Sequence, residues 1–174
     1  MITSLALAVL AATGLTPATR PAQGAVTSDA HPANAQATCP GGDFESFLQA
    51  FISSADVRRK YTPATLEERS FAAPSRPGAA RPVNPEAFEI TMVDYSWADR
   101  ASVVRWEKDQ TPFTELTISI SDLPGGAGRI EYRPGLFKDE GEGDGRTLIR
   151  HTGKPRAYVF NRVGDCWRLA QWLK

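Results

Sequence analysis

The sequence predicts an α+β fold, and three observations carry that reading. Residues 44–52 hold one apolar helical stripe, about six later segments alternate or cluster as strands, and no strand-helix-strand rhythm separates them. The expected architecture is an N-terminal helix laid across the apolar face of a mostly antiparallel sheet of about six strands.

The chain opens on a short apolar run, Leu5 to Ala12, followed by small and polar residues. That run is too short to span a bilayer and suits a secretory signal, although Met1-Ile2-Thr3-Ser4 brings no positive charge. Cleavage after Ala37 follows the small-x-small triplet Ala35-Gln36-Ala37, and cleavage near Ala25 lies closer to the apolar run; the sequence does not choose. A lipid anchor at Cys39 is disfavoured because Thr38 precedes it. Residues 1–37 are therefore expected to be a signal and disordered leader, and residues 38–174 a single domain. The protein is expected to be exported, periplasmic or secreted, with no stable membrane insertion after cleavage. Removing the leader leaves equal numbers of acidic and basic side chains and one histidine, His151. Balanced charge argues against nucleic acid as a partner.

Asp43 reads as an N-cap. Behind it Phe44, Phe47, Leu48, Phe51 and Ile52 fall at i, i+3, i+4, i+7 and i+8, so three phenylalanines share one face. Ala55-Asp56-Val57 either continues this helix or starts a second short one, with Arg58-Arg59-Lys60 suited by charge to a helix end. Thr65 to Arg69 is a candidate edge strand. Residues 72–86, with Pro74, Pro77, Pro82 and Pro85, read as a long loop. Phe88 to Met92, Val104-Arg105-Trp106 and Leu116 to Ile120 alternate as strands, and Arg129 to Tyr132 and Thr147 to Ile149 add two more. The last stretch, 154–174, reads as a hairpin turning at Gly164-Asp165, which sets Val163 opposite Cys166, Arg162 opposite Trp167 and Phe160 opposite Leu169. Phe160, Trp167 and Leu169 then share the core face.

Two cysteines in an exported chain point to one disulfide, Cys39 to Cys166, stapling the N-terminal segment to the last strand.

An aromatic opening helix followed by a meander ending in Gly164-Asp165-Cys166-Trp167-Arg168-Leu169 resembles the NTF2-like, cone-shaped fold. Within that group Phe44, Phe47 and Phe51, with Val57, Tyr61 and Leu66, are similar to exported bacterial DUF4348-type proteins. The resemblance implies a curved sheet. It fixes no chemistry, since the fold hosts enzymes, ligand binders and protein binders alike.

The inventory of reactive groups is thin. His151 is the weak catalytic candidate, a general base that Asp144 or Glu142 would orient. The acidic stretch Asp139 to Gly145 lacks the spacing of a calcium loop, and one histidine beside a bridged cysteine pair leaves no metal set. Gly125-Gly126-Ala127-Gly128 precedes a strand, not a helix, so it reads as a turn and not a phosphate cradle. No cofactor is expected. The candidate binding residues are Trp97 with Arg100 and Trp172 with Arg168, exposed tryptophan beside arginine being a common make-up for a protein-binding patch; burial of either tryptophan under the proline-rich loop is the alternative. Trp106 and Trp167 are expected in the core. The thin catalytic inventory favours a non-enzymatic binding protein acting on another protein, for example an immunity or inhibitor protein; the alternatives are a small-ligand binder using the open end of the sheet and a hydrolase or isomerase built on His151.

Overall fold

The computed structural model describes residues 39–93, 97–139 and 146–174. The expected leader, Tyr95-Ser96 and the acidic loop with Glu142 and Asp144 lie outside the described residues. All described residues belong to one compact unit.

The fold is α+β, with three α-helices and a curved open sheet of seven strands among the described residues. Helix α1 (Phe44–Ser53) starts where the Asp43 carboxylate accepts the Ser46 amide at 2.8 Å, and it buries all five stripe residues. A second helix, α2 (Ala55–Tyr61), follows at once, because Ser54 ends the first and caps the second. Strands β1 (Thr65–Arg69), β2 (Ala79–Pro82), β3 (Glu115–Asp122), β4 (Gly128–Asp139), β5 (Arg146–His151), β6 (Arg156–Val163) and β7 (Cys166–Leu173) lie in the order β2-β1-β7-β6-β4-β3. Strand β5 continues past β6 along the same side of β4, pairing its second half. Every pairing is antiparallel except β1 with β7.

Five expectations need correction. Thr65 to Arg69 is a strand, but an interior one: β2 lies outside it. The proline-rich segment supplies that edge, where the N–H that Pro82 lacks costs no bond needed by an inner ladder. Phe88 to Met92 is not a ladder strand; it buries Ile90 and Met92 in irregular backbone with a single bridge from Met92 to Asp99. Val104-Arg105-Trp106 lies in helix α3 (Arg100–Asp109), where Asp99 accepts the Ser102 amide at 2.9 Å. Ser102 is the one residue this helix buries, so Trp106 is 41% exposed and not core.

The final hairpin has the expected register through Leu169, and Gly164 turns at a φ of 62° that glycine adopts without strain. Past Leu169 the register shifts: Phe160 faces Leu169 but Val159 faces Gln171, leaving Ala170 as an extra residue. Such a bulge inverts every following side chain. Trp172 is thereby carried to the face of Leu169, and Leu173 to the other face against Ala157 and Val159.

The core is aromatic. Phe160 packs on Phe44, Phe47 and Phe51 at ring-centroid separations of 5.6, 5.9 and 5.1 Å, and Trp167 donates its indole N–H to the Gly126 carbonyl at 2.9 Å. Gly128 passes directly beneath the Phe44 ring, in contact with it where a Cβ would project. Gly128→Ala is expected to cost about 1–3 kcal/mol by overpacking, measured by urea unfolding; an unchanged midpoint would mean Phe44 has room to move. Cys39 is bonded to Cys166, which ties the residues ahead of α1 to the start of β7.

Candidate functional site

Trp172 is the best-surrounded of the expected binding residues. The sheet faces that meet α1 carry a stack of three rings: Tyr132 on Tyr158 at 5.5 Å and Tyr158 on Trp172 at 5.7 Å, both within 20° of parallel. A hydroxyl chain ties the stack together. Trp172 Nε1 donates to Tyr132 Oη at 3.1 Å, and Thr91 Oγ1 lies 3.2 Å from that oxygen and 2.8 Å from Tyr158 Oη. Burial pushes the Tyr158 phenol well above its ordinary range, with Tyr132 beside it adding to the rise. It stays neutral and acts as a structural pillar.

A crevice of about 280 Å³ opens against Trp172, walled by Leu66 of β1, Arg81 and Pro82 of β2, and Val83, Asn84, Ala87, Phe88 and Glu89 of the segment that follows. Its lining mixes apolar side chains with the charged Arg81 and Glu89 and the amide of Asn84. On the β1 side Glu68 pairs with Lys174 at 2.8 Å and with Arg81 at 3.2 Å, and both cations lie over the Trp172 ring, at 3.8 and 5.5 Å from its centroid. Lys174 first, then Arg81, holds the Glu68 carboxyl below the usual carboxylate range. This contribution to stability is present above the ordinary carboxylate pKa and is lost as pH falls through the depressed one.

Across the crevice Glu89 is held by Arg100 at 3.1 Å and by Arg58 at 3.5 Å. Arg58 is 5% exposed, and desolvation is the main reason its guanidinium pKa is lowered. Both arginines also donate to the Ile52 carbonyl at the end of α1, Arg58 at 2.6 Å and Arg100 at 3.2 Å, while Arg100 reaches Ile90 and Met92 at 3.0 and 3.3 Å. Arg100 therefore joins α1 to the irregular 90–92 segment instead of standing free beside Trp97.

Trp97 is half-buried against the core, with a left-handed φ of 46° and its carbonyl accepting the Leu116 amide at 2.8 Å. A tryptophan held there stores local strain. Arg168 is exposed, between buried Trp167 and Leu169, so it leaves the sheet on the face opposite them. The bulge thus separates Arg168 from Trp172, and the structure brings neither expected pair together on one open patch.

His151 is exposed at the end of β5, opposite Gly135. It lines a second groove, of about 360 Å³, with Thr117 and Ser119 of β3, Glu131 and Arg133 of β4, Leu148 and Pro155. Arg133 is tethered by its Nε to the Gly153 carbonyl at 2.8 Å, and Glu131 pairs with Arg129 at 2.8 Å. Among the described residues no cluster of His, Cys, Asp or Glu is arranged to hold a metal, and no helix is long and apolar enough to cross a membrane.

Arg81, Asn84, Phe88, Glu89 and Lys174 were not among the candidates from sequence. A proline-rich edge strand with one arginine was the available signal.

No family model and no curated protein matches the chain, so the similarity to DUF4348-type proteins finds no support there. A solved structure labelled Rd1NTF2_05 is similar at 11% identity, covering 69% of this chain and 81% of its own, with a TM-score of 0.30. A likeness that slight carries no argument about fold or function.

Proposed function

We propose that the protein is an exported, non-enzymatic binding protein that recognises another protein, taking one of its side chains into the Trp172 crevice. The observation that carries this reading is the crevice itself, which brings Trp172, Phe88, Leu66 and Val83 together with Arg81, Asn84 and Glu89. At about 280 Å³ it falls just short of the range of about 300–1,000 Å³ typical of small-molecule and cofactor sites, and it suits a single inserted residue. Central apolar anchors ringed by polar contacts dominate most protein interfaces. Strand β2, exposed along its whole length, offers the flanking surface. The disulfide fits an oxidising compartment, which supports export. Helices over a curved open sheet fit the proposed NTF2-like cone; an immunity or inhibitor role is one form that such recognition takes.

Trp172→Ala is expected to weaken capture of the partner at least tenfold. It also removes the Tyr158 stack, costing about 2–4 kcal/mol of stability, so Trp172→Phe and Arg81→Ala serve as the milder variants, each weakening capture while the urea midpoint moves little. His151→Ala should leave capture unchanged. Retention of wild-type capture by all three crevice variants would overturn the proposal.

The grouping of His151 with Glu131, Arg133 and two hydroxyls favours a second reading, acid-base chemistry in that groove. Loss of a biological activity in His151→Ala, with the crevice variants unaffected, would establish it.

A further inference from the structure

We propose that the outer edge of β3 is a second protein-docking surface, which takes an extended segment of a partner as an added antiparallel strand with a lysine or arginine beside Asp122. This edge lies at the opposite end of the sheet from β2 and the Trp172 crevice, so it goes beyond the reading above and does not depend on it. The Leu116 amide bonds outward to the Trp97 carbonyl at 2.8 Å, and Pro134, opposite Leu116, has no N–H to give β3. Bonding direction alternates along an antiparallel ladder, so the N–H and C=O of Ile118 and Ile120 point outward as well. Among the described residues nothing takes these groups, because the 97–99 segment covers the edge only as far as Leu116. Main-chain groups left open along an edge are a template for another strand. The opposite edge is guarded: β2 is four residues long and carries Arg81 and Pro82. Strand β3 is eight residues long, and Leu116 to Ser121 holds no charge, proline or glycine.

Charge selects the occupant. The far end of β3 borders a crevice of about 670 Å³ whose walls hold Asp43, Glu45 and Asp122 and a single cation, Arg162. None of the three carboxylates forms an ion pair among the described residues. Even with Asp43 set against the amide end of α1, whose Ser46 N–H it accepts at 2.8 Å, Glu45 and Asp122 outnumber Arg162. A second copy of β3 would bring only Glu115 and Asp122 to this place, acid against acid. Residues opposite one another in an antiparallel pair share a face, so the residue facing Asp122 projects toward this crevice, and those facing Ile120 and Ile118 lie against half-buried isoleucine. The positions between them meet the exposed Ser121 and Ser119. The segment that fits therefore reads basic, polar, apolar, polar, apolar.

The test follows the Ile118 and Ile120 amide resonances while the intact protein is titrated with acetyl-Lys-Thr-Val-Thr-Val amide, the same peptide with glutamate in place of lysine, and the lysine peptide N-methylated at both valines. The lysine peptide is expected to bind at least tenfold more tightly than either of the others and to slow solvent exchange of both amides at least tenfold. Asp122→Lys should remove the preference for lysine over glutamate without shifting the urea midpoint, and Trp172→Phe should leave binding of the peptide unchanged. Equal affinity for the lysine and glutamate peptides, equal affinity for the N-methylated peptide, or no binding of the lysine peptide at millimolar concentration would each overturn the proposal. Protection of the two amides without peptide, rising with protein concentration, would also overturn it, assigning the edge to a second copy of the chain. Failure here while capture of the partner still depends on Trp172 leaves the crevice reading standing.

Discussion

Phe47→Ala is expected to lower the free energy of unfolding by about 3–5 kcal/mol, the range for deleting a fully buried aromatic ring. Phe47 has no exposed surface and lies between 5.3 and 5.9 Å, centroid to centroid, from Phe51, Tyr61, Phe160 and Trp167. Those neighbours come from α1, the end of α2, β6 and β7. They cannot close together over the gap, because α1 is pinned ahead of its cap by the disulfide and at its far end by Arg58 and Arg100 on the Ile52 carbonyl. Urea unfolding followed by tryptophan fluorescence reads the change. A loss below about 1 kcal/mol would show that α1 is not seated as described, since even partial collapse leaves more than that.

Opening the Cys39–Cys166 bridge is expected to cost about 4–5 kcal/mol, because it joins residues 127 apart and its chief effect is to restrict the unfolded chain. Cys39→Ser, Cys166→Ser and the double variant should fall by the same amount, as the two sulfurs act only together. Reductant should lower the wild type to the level of the variants and leave the variants where they are. Thiol titration of the denatured, unreduced protein should find no reactive group. Two reactive thiols per chain, or a double variant that unfolds at the wild-type midpoint, would contradict the bridge as a stabilising element.

Where local chemistry decides structure, the sequence was readable. The five-residue stripe and the Asp43 cap located α1, and Gly164-Asp165 set the hairpin register through Leu169. Ala170 broke that reading. An alanine prefers neither face, and the next two residues on β7 that alternation must assign, Trp172 and Leu173, are both apolar, so no pattern marks the bulge. Helix α3 was hidden for a related reason: with Ser102 alone buried it has no apolar stripe, and the i, i+2 spacing of Val104 and Trp106 imitates a strand. Arg100 was assigned to the surface because nothing in a sequence reports that carbonyls at Ile52, Ile90 and Met92 lack partners within their own elements. Half of the crevice rim was equally invisible, since Arg81 reaches Trp172 only through the parallel pairing of β1 with β7.

The position of β7 has a consequence for the order in which the chain becomes a protein. Its C-terminal strand lies inside the sheet, joining β1 to β6, and α1 and α2 both pack on it. Strands β1 and β2 therefore join the rest of the sheet only through β7, whereas α1 also meets Phe160 of β6. Without residues 166–174, Phe44 and Phe47 lose the Trp167 ring, and β1 keeps only β2 as a neighbour. The parallel pairing of β1 with β7 joins residues about a hundred positions apart, a non-local contact of the kind that slows folding.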